Sequence, residues 1–443
     1  MNAAIDLKKL VDTQRGTLSP LIYSDPTVYQ IERDRIFSRS WLFIGHESQI
    51  PKAGDFFTSY MGEDPIVVVR QKDGTVAAFL NQCRHRGMRI CRSDLGNARA
   101  FTCSYHGWSY DLAGGLKAIP HEQQYGADFD RDAWGAKKIE RLESYKGMLF
   151  ANWDLDAPAL VEHLGAATYY LDGLVDRLEG GTEVIAGVHK WIIDCNWKMP
   201  ADQFVSDMYH AASSHISAIE ACRPDDYDPA VHSMDQRDGM QFWTDEGHGG
   251  GYFHSDAPNP AVWLDPLAKA WLKDTFEEAR ARLGDHRAAR VSGHNTLFPN
   301  FSWLNGTNTI RVWHPRGPNQ IEVWAWVLVD SKAPDEVKNA FRRSAVRAFG
   351  PSGMLEQDDG ENWVEIQKVM RGSMAQSSDL CYQMALGAPE QSVEGVGGHH
   401  GPLFSDMAAR NFYRRWAELM NTPAPARQSD AVQGQGSCGG KND

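Results

Sequence analysis

Four side chains of metal-binding type come as two matching pairs, Cys83-x-His85 and Cys103-x2-His106, with 17 residues between them. Thiolate and imidazole together suit two metals. A four-coordinate zinc accepts two of each, but its usual spacing pairs cysteine with cysteine and histidine with histidine, whereas each pair here mixes them. A [2Fe–2S] centre with two thiolates on one iron and two imidazoles on the other is served by two loops that each bring one of either kind. The interleaved order therefore favours a Rieske-type cluster, with zinc or an unmetallated structural set as alternatives. Gly87 and Gly107, each just after a histidine, would let the backbone approach bridging sulfides. Trp108 is placed to shield a cluster from water.

A second constellation is "DMYHAASSH" (207–215). At about 100° per residue, Asp207 and His210 would lie about 60° apart on a helix, and His210 and His215 about 140° apart. A regular helix cannot aim both imidazoles at one ion, so the small segment Ala211–Ser214 is expected to bulge or break. Two histidines and a carboxylate on one side of iron form the facial triad of non-haem Fe(II) oxygenases, with positions left open. Asp207 is a candidate for that carboxylate. It also lies one turn from His210, where a carboxylate would hold the imidazole nitrogen that faces away from the metal.

These residues need elements to position them. Residues 65–81 put apolar runs either side of Lys72-Asp73-Gly74, a hairpin signal, and "ARAFTCSYHGWSYDLAGGLKAIP" is a second β-like stretch. From about 40 to 155 the chain reads as an all-β unit with the Cys/His pairs in two loops. Helical periodicity follows near 158–178 and around 207–215. "TIRVWHPRGPNQIEVWAWVLV" (309–329) reads as a hairpin of a broad antiparallel sheet. Pro334 starts and Gly350-Pro351 ends a helix, and "ENWVEIQKVM" forms another. The segment 223–260, rich in Gly, Asp, Pro and His, lacks periodicity and reads as a lid or a mobile connection. Residues 422–443 have too few apolar groups to pack and read as a disordered tail.

Composition narrows the class. A chain of 443 residues, 42% hydrophobic and 11% aromatic, supports a large core and more than one domain. The net charge of -13 argues against binding to nucleic acid or an anionic membrane. Seven scattered cysteines (83, 91, 103, 195, 222, 381 and 438) make no disulfide framework and point to a reduced, cytoplasmic setting. The start "MNAAIDLKKLVDTQRG" lacks the apolar core of a signal peptide, and no apolar run reaches the about 18 residues of a membrane span. Without G-x-G-x-x-G there is no nicotinamide or flavin fingerprint. Arg84, Arg86, Arg89 and Arg92 crowd the first Cys/His loop. They form either a rim that attracts an acidic electron donor or a set of salt bridges to nearby acids or another subunit.

"CRHRG" with "CSYHGWSYDLAGGL" resembles the Rieske motif of ring-hydroxylating oxygenase large subunits, of the naphthalene and biphenyl dioxygenase group. "DMYHAASSH" and "FGPSGMLEQDDGENW" (349–363) follow in the family's order, with "NTLFPNFSWL" (295–304) as a weaker fourth block, so the resemblance spans most of residues 20–420. It implies an α+β fold. An all-β Rieske domain would occupy 40–156, and a catalytic domain with a large antiparallel sheet flanked by helices, of the helix-grip kind, would occupy 157–421 with residues 1–39 attached.

The same resemblance implies one Rieske [2Fe–2S] cluster on Cys83, His85, Cys103 and His106. It places one mononuclear Fe(II) on His210, His215 and Asp359, the second aspartate of the DD pair. Asp207 is then freed to bridge a cluster histidine of a neighbouring subunit to an iron-bound histidine. Asp358, the alternative ligand, and Glu356 are expected to face solvent or to be ion-paired. The implied activity inserts O2 into an aromatic ring to give a cis-dihydrodiol, with electrons from NAD(P)H through a separate reductase and a ferredoxin. The implied assembly is a head-to-tail trimer, commonly α3β3 with a small β subunit.

Pocket candidates matched to the family are Gln203, Phe204, Ala211, His294, Leu304, Phe349 and Leu355; several members carry Asn where Gln203 stands. The set is mainly apolar and lacks an arginine to pair with a carboxylate, so an aromatic hydrocarbon is expected over an aromatic acid. Three rivals stand beside this reading. One is a monooxygenase of a salicylate-like acid on the same scaffold. Another is a pure electron carrier, which would need only about the first 155 residues. The third is a zinc-stabilised binding protein.

Overall fold

The structure is a computed structural model that describes residues 5–223, 238–255, 257–258, 260–289 and 293–423. The expected tail therefore lies almost wholly outside the described residues, as does the 224–237 part of the expected lid.

Between residues 40 and 155 the described elements are strands and single 3-10 turns. Asp64–Arg70 and Val76–Leu80 form the expected hairpin, which pairs further with Asp55–Met61 and Leu95–Asn97 in a four-stranded antiparallel sheet. The run Ile66 to Val69 is apolar at every position because both of its faces are buried. Val67 and Val69 pack with Cys83, Cys103, Trp108 and Tyr110, whereas Ile66 and Val68 face the rest of the chain. The two Cys/His loops thus grow from a core of their own.

The remainder is built on an eight-stranded antiparallel sheet. Its spatial order is Thr182–Ile193, Ile321–Asp330, Thr309–Pro315, Phe301–Asn305, Gly293–Leu297, Gly249–Phe253, Gly239–Trp243 and His399–Pro402. Strand alternation sorts the side chains. Phe301, Trp303, Ile310, Val312, Trp324 and Trp326 turn to one face, against Phe43, Phe150 and the helix Ala167–Val175. Leu304, Trp313, Ile321 and Val323 turn to the other, against Phe204, Phe349, Leu355 and Trp363. That second face carries the helix Lys198–Ser206, hereafter the site helix, and the helix Met354–Val369, hereafter the carboxylate helix.

Three sequence expectations need correction. The stretch 239–253 is a β-hairpin inside the sheet rather than a lid or connection. Its glycines carry no side chain to reveal a period, yet they are what allow the packing: a Cβ on Gly249 would sit 3.0 Å from Val205 Cγ1 of the site helix. The helix expected from 361 begins at Met354. The helical stretch near 158–178 is split into Leu160–Leu164 and Ala167–Val175 by Gly165, whose φ of +47° suits a residue without a side chain.

The first residue of the site helix is fixed by a buried ion pair. Lys198 Nζ lies 2.6 Å from Glu32 Oε1, and both side chains are fully buried. Glu32 also accepts hydrogen bonds from the indoles of Trp197 (2.9 Å) and Trp416 (2.8 Å), and Lys198 donates to Asn196 Oδ1 at 2.7 Å. This network ties the helix Pro26–Glu32 and the helix Met407–Asn421 to the start of the site helix. Removing one member leaves the other charged in the core. Lys198→Met is therefore expected to lower stability by about 3–5 kcal/mol, read as a lower denaturant midpoint. A shift worth less than about 1 kcal/mol would show that the pair does not anchor the helix.

Candidate functional site

Both Cys/His loops close with the same two backbone hydrogen bonds. Cys83 N donates to Met88 O (2.8 Å) and Gly87 N to Cys83 O (2.9 Å). In the second loop Cys103 N donates to Trp108 O (2.8 Å) and Gly107 N to Cys103 O (3.0 Å). The turn forces a φ of +76° on Gly87 and +75° on Gly107, a left-handed conformation that side chains resist. Backbone conformation is thus sufficient reason for both glycines. The loops bury their cysteines, each 2% exposed, and leave His106 exposed and His85 half-buried.

The His85 and His106 rings lie 4.3 Å apart, and the Trp108 indole stacks on His85 at 5.2 Å, as a shield would. Burial pushes the Cys83 thiol up, and the Tyr110 hydroxyl, which donates to Cys83 Sγ at 3.3 Å, pulls the other way. His85 Nδ1 is buried without a hydrogen-bond partner. Two sulfurs inside, two imidazoles outside and a lone-pair nitrogen to spare fit a two-thiolate, two-imidazole cluster. Of the four arginines, Arg84 reaches over Trp134 and Arg89 donates to Tyr60 Oη at 3.0 Å, while Arg86 and Arg92 are exposed.

The second constellation closes through two breaks in a helical segment. The site helix stops at Asp207, whose Oδ1 accepts the backbone N–H groups of Tyr209 (3.1 Å) and His210 (3.0 Å) in an Asx turn that leads into the single turn Ala211–Ser214. His215, at φ -98° and ψ 9°, separates that turn from the helix Ile216–Cys222. The distortion expected within Ala211–Ser214 falls on either side of it, because the small residues form the turn and the Asp207 carboxylate redirects the chain before it.

As a result His210 Nε2 and His215 Nε2 stand 3.3 Å apart. Asp359 Oδ1, from the carboxylate helix, is 3.4 Å from the first and 3.2 Å from the second. Three atoms so spaced surround a point about 2 Å from each, the bond length of a divalent metal to nitrogen and oxygen. They lie on one side of that point and leave the other open.

Each of the three has its own outer partner. Gln203 Nε2 donates to Asp359 Oδ1 at 2.7 Å, and Gln203 Oε1 accepts from Trp363 Nε1 at 2.7 Å. His215 Nδ1 donates to Asp358 Oδ2 at 3.1 Å. Asp207 Oδ2 is 3.4 Å from His210 Nδ1, a charge contact rather than a formed hydrogen bond. Asp358 is therefore ion-paired, and its partner is one of the two histidines. Glu356 is ion-paired too, with Arg311, but deep in the core. Burial pushes the Asp359 carboxyl up, yet the two imidazoles outweigh it and hold it well below the usual carboxylate range. Burial pushes His210 down, yet Asp207 and Asp359 outweigh it and raise it to about 10. The carboxylates thus set a negative potential that suits a cation.

A cavity of about 660 Å³, its mouth included, opens over these atoms. All seven candidates, Gln203, Phe204, Ala211, His294, Leu304, Phe349 and Leu355, line it, together with His210, His215 and Asp359. Among the described residues no lysine or arginine lines it. His294 Nδ1 donates to Phe204 O at 3.1 Å, and burial lowers the ring to about 4, so it is neutral.

Met208, Ile219, Phe253, Trp263, Asn305 and Thr307 also line the cavity and were not singled out from sequence. Met208 and Ile219 flank the two histidines, a signal that was available; Phe253 and Trp263 come from the segment taken for a lid and its far side. A second cleft, about 1140 Å³ and open to the surface, has Gln203, Asp207, Tyr209 and Asp202 in its wall. Asp207 and Gln203 separate it from the metal-type cluster.

Residues 163–422 match the family model for the ring hydroxylating alpha subunit (catalytic domain), and residues 40–146 match that for the Rieske [2Fe-2S] domain. The chain is 49% identical over 428 residues to biphenyl 2,3-dioxygenase subunit alpha of Rhodococcus jostii (strain RHA1), covering 95% of this chain and 92% of that one. It is 48% identical over 430 residues to benzene 1,2-dioxygenase subunit alpha of Pseudomonas putida, covering 94% of each. The crystal structure of naphthalene 1,2-dioxygenase from Rhodococcus sp. bound to indole superposes with a TM-score of 0.83 at 35% identity, over 95% of this chain and 100% of that one.

The Gln203 amide is the one group that touches Asp359, His210 and Trp363 together. Gln203→Leu keeps the volume and deletes these bonds. Metal titration of the variant is expected to show about 10–100-fold weaker binding at the two-histidine, one-carboxylate site, with the visible absorbance of the Cys/His loops unchanged. Undiminished affinity would refute this role for the amide.

Proposed function

The chain belongs to the family of Rieske ring-hydroxylating dioxygenase alpha subunits, and on that premise we propose that it converts an uncharged arene of one or two rings to its cis-dihydrodiol. It is an oxidoreductase that joins a Rieske [2Fe–2S] domain to a mononuclear-iron catalytic domain. The observation that carries the substrate reading is a cavity that no lysine or arginine lines among the described residues and that ends on His210, His215 and Asp359. A salicylate-like substrate finds no counter-charge there, and the named relatives act on biphenyl and benzene.

In this reading Cys83 and Cys103 hold the inner iron of the cluster, His85 and His106 the outer iron, and His210, His215 and Asp359 the mononuclear Fe(II). When bound, the cluster supplies electrons one at a time and the mononuclear iron supplies activation of O2. The protein's part is positional. Gln203 and Asp358 fix the ligand atoms, the apolar wall of Phe204, Leu304, Phe349 and Leu355 lays an arene over the open side and excludes water, and His294 stays neutral. Asp207 keeps one oxygen near His210 Nδ1 while its side chain remains half exposed in the outer cleft. From there it would accept a hydrogen bond from a cluster histidine of a neighbouring protomer, for which the outward-facing His106 of each copy is suited.

The Rieske domain is assigned to 40–156 and the catalytic domain to 157–421 with 1–39 attached, supported by the extents of the two family matches. The partners assigned are a small β subunit, a ferredoxin and an NAD(P)H-dependent reductase, supported by the relatives being named as alpha subunits. A cytoplasmic location is supported by the six cysteines among the described residues, all free thiols. No helix among the described residues is long and apolar enough to cross a membrane.

Turnover of a panel of mono- and bicyclic arenes under 18O2 is expected to place both labelled atoms in one product; a single labelled atom would overturn the dioxygenase reading for that substrate. The aspartates separate two functions. Asp359→Ala is expected to lose the mononuclear iron and keep the cluster absorbance, whereas Asp207→Ala is expected to keep both metals and fail to couple cluster oxidation to product. Iron lost from the second variant and retained by the first would reverse the two assignments.

A further inference from the structure

Behind the cavity wall stands a cation that the substrate never touches. Arg311, on the strand Thr309–Pro315, is fully buried, and its guanidinium carbon lies 5.2 Å from the ring centroid of Phe204 and 5.4 Å from that of Phe349. Both rings line the cavity, and Arg311 does not. Its charge is met by one carboxylate: Arg311 Nη1 donates to Glu356 Oε2 at 2.6 Å, with longer bonds from Nη2 to Thr309 Oγ1 (3.3 Å) and Phe349 O (3.5 Å). Arg311 Nε and Glu356 Oε1 are buried without hydrogen-bond partners. An ion pair so incompletely served adds little over an apolar pair of the same volume. Its use must therefore be sought outside stability.

We propose that Glu356 is a charge mask: by cancelling Arg311 it fits the cavity to uncharged arenes, and without it the same cavity would recruit carboxylated ones. This rests on the reading of the cavity as the substrate site. A guanidinium is charged at every working pH, and aromatic rings screen a field poorly. At a separation of about 8–10 Å and an effective dielectric of about 20, an unmasked Arg311 would favour a carboxylate in the cavity by at least an order of magnitude in affinity. Paired with Glu356 it presents only a short dipole, which attracts an anion far less than a bare guanidinium does. Glu356 touches neither the cavity nor the iron-type ligands, so it is a specificity-determining residue that acts through Arg311.

The test compares biphenyl with biphenyl-4-carboxylate in the assembled enzyme with its electron-transfer proteins. Two quantities are read as acid-to-neutral ratios: kcat/KM, and affinity from quenching of tryptophan fluorescence. In Glu356→Gln both ratios are expected to rise on the order of tenfold, with iron content and cluster absorbance as in the wild type. In Arg311→Met they are expected to stay within about threefold of wild type, since a buried Glu356 that has lost its counter-ion takes up a proton rather than remain charged. In Arg311→Met/Glu356→Leu they are expected to stay within about threefold of wild type.

Unchanged ratios in a metal-replete Glu356→Gln variant would overturn the proposal, as would a double variant that shifts as far as Glu356→Gln. If Glu356→Gln does not fold, Glu356→Ala replaces it: acid-to-neutral ratios that rise in Glu356→Ala and return to wild type in the double variant support the proposal, and unchanged ratios in Glu356→Ala overturn it. A wild-type enzyme that prefers the acid would overturn the substrate reading itself. A wild type that prefers biphenyl, with ratios unmoved by Glu356→Gln, would overturn only the mask.

Discussion

The metal-type cluster depends on one amide. Gln203 sits on the site helix and Asp359 on the carboxylate helix, and the 2.7 Å bond between them is what brings the two helices into one site. The orientation of that amide is not free. Trp363 Nε1 can only donate, so Gln203 Oε1 must accept from it, and the NH2 group is thereby turned to Asp359. A buried carboxylate without a donor would cost several kcal/mol; here it has the amide on one side and two imidazoles on the other. A glutamine here has a geometric sense, because its side chain spans from the Trp363 indole to the Asp359 carboxylate.

Asp207 meets three demands with two oxygens. Oδ1 accepts the Tyr209 and His210 backbone N–H groups, Oδ2 faces the imidazole, and the whole carboxylate stands in the wall between the buried cluster and the outer cleft. That Asx turn explains why the chain breaks there: a helix continued through 207–210 would turn His210 and His215 apart. Local backbone chemistry and metal geometry are therefore one constraint at this residue. The Cys/His loops use the same economy, since each closes by a Cys-to-Gly bond that buries its sulfur and leaves its imidazole nearer the surface than the sulfur.

Legibility from sequence followed the range of the cause. The Cys/His pairs, the hairpin at 65–81, the sheet strands of 309–329 and the helix from 335 were readable because their signals lie within a few residues. The seven pocket candidates came from the resemblance, and all of them meet around one cavity. The start of the carboxylate helix was missed because Gly353 and the Asp-Asp-Gly stretch are poor helix formers; yet Leu355, Asp359, Trp363 and Gln367, four residues apart, are all buried. Tertiary packing overrides propensity, and that period was in the sequence. The strand at 249–253 had no such trace, since three glycines show no period. The bond from His215 to Asp358 and the pairing of Arg311 with Glu356 join residues far apart in the chain, and neither spacing nor composition announces them.

The cavity's apolar character is an arrangement of polar groups as much as a lining of apolar ones. His294 spends its one proton on Phe204 O and is kept neutral by burial, Trp263 Nε1 is tied to Thr307 Oγ1 at 3.0 Å, and Asp359 accepts from the Gln203 amide at 2.7 Å. What remains facing the cavity is mostly ring, methyl and methylene surface, with His294 Nε2 and the side of the cluster that its ligands leave open. An uncharged arene gains from that surface at about 25 cal/mol per Å² buried. Its orientation is then set by shape and its reactive edge by which carbons lie over the open side. Discrimination among arenes of this class consequently falls to the bulk of Phe204, Leu304, Phe349 and Trp263 rather than to any hydrogen bond. Differences in apolar contact of a methylene or two are worth only about 1–3 kcal/mol, so a site built this way admits several related rings.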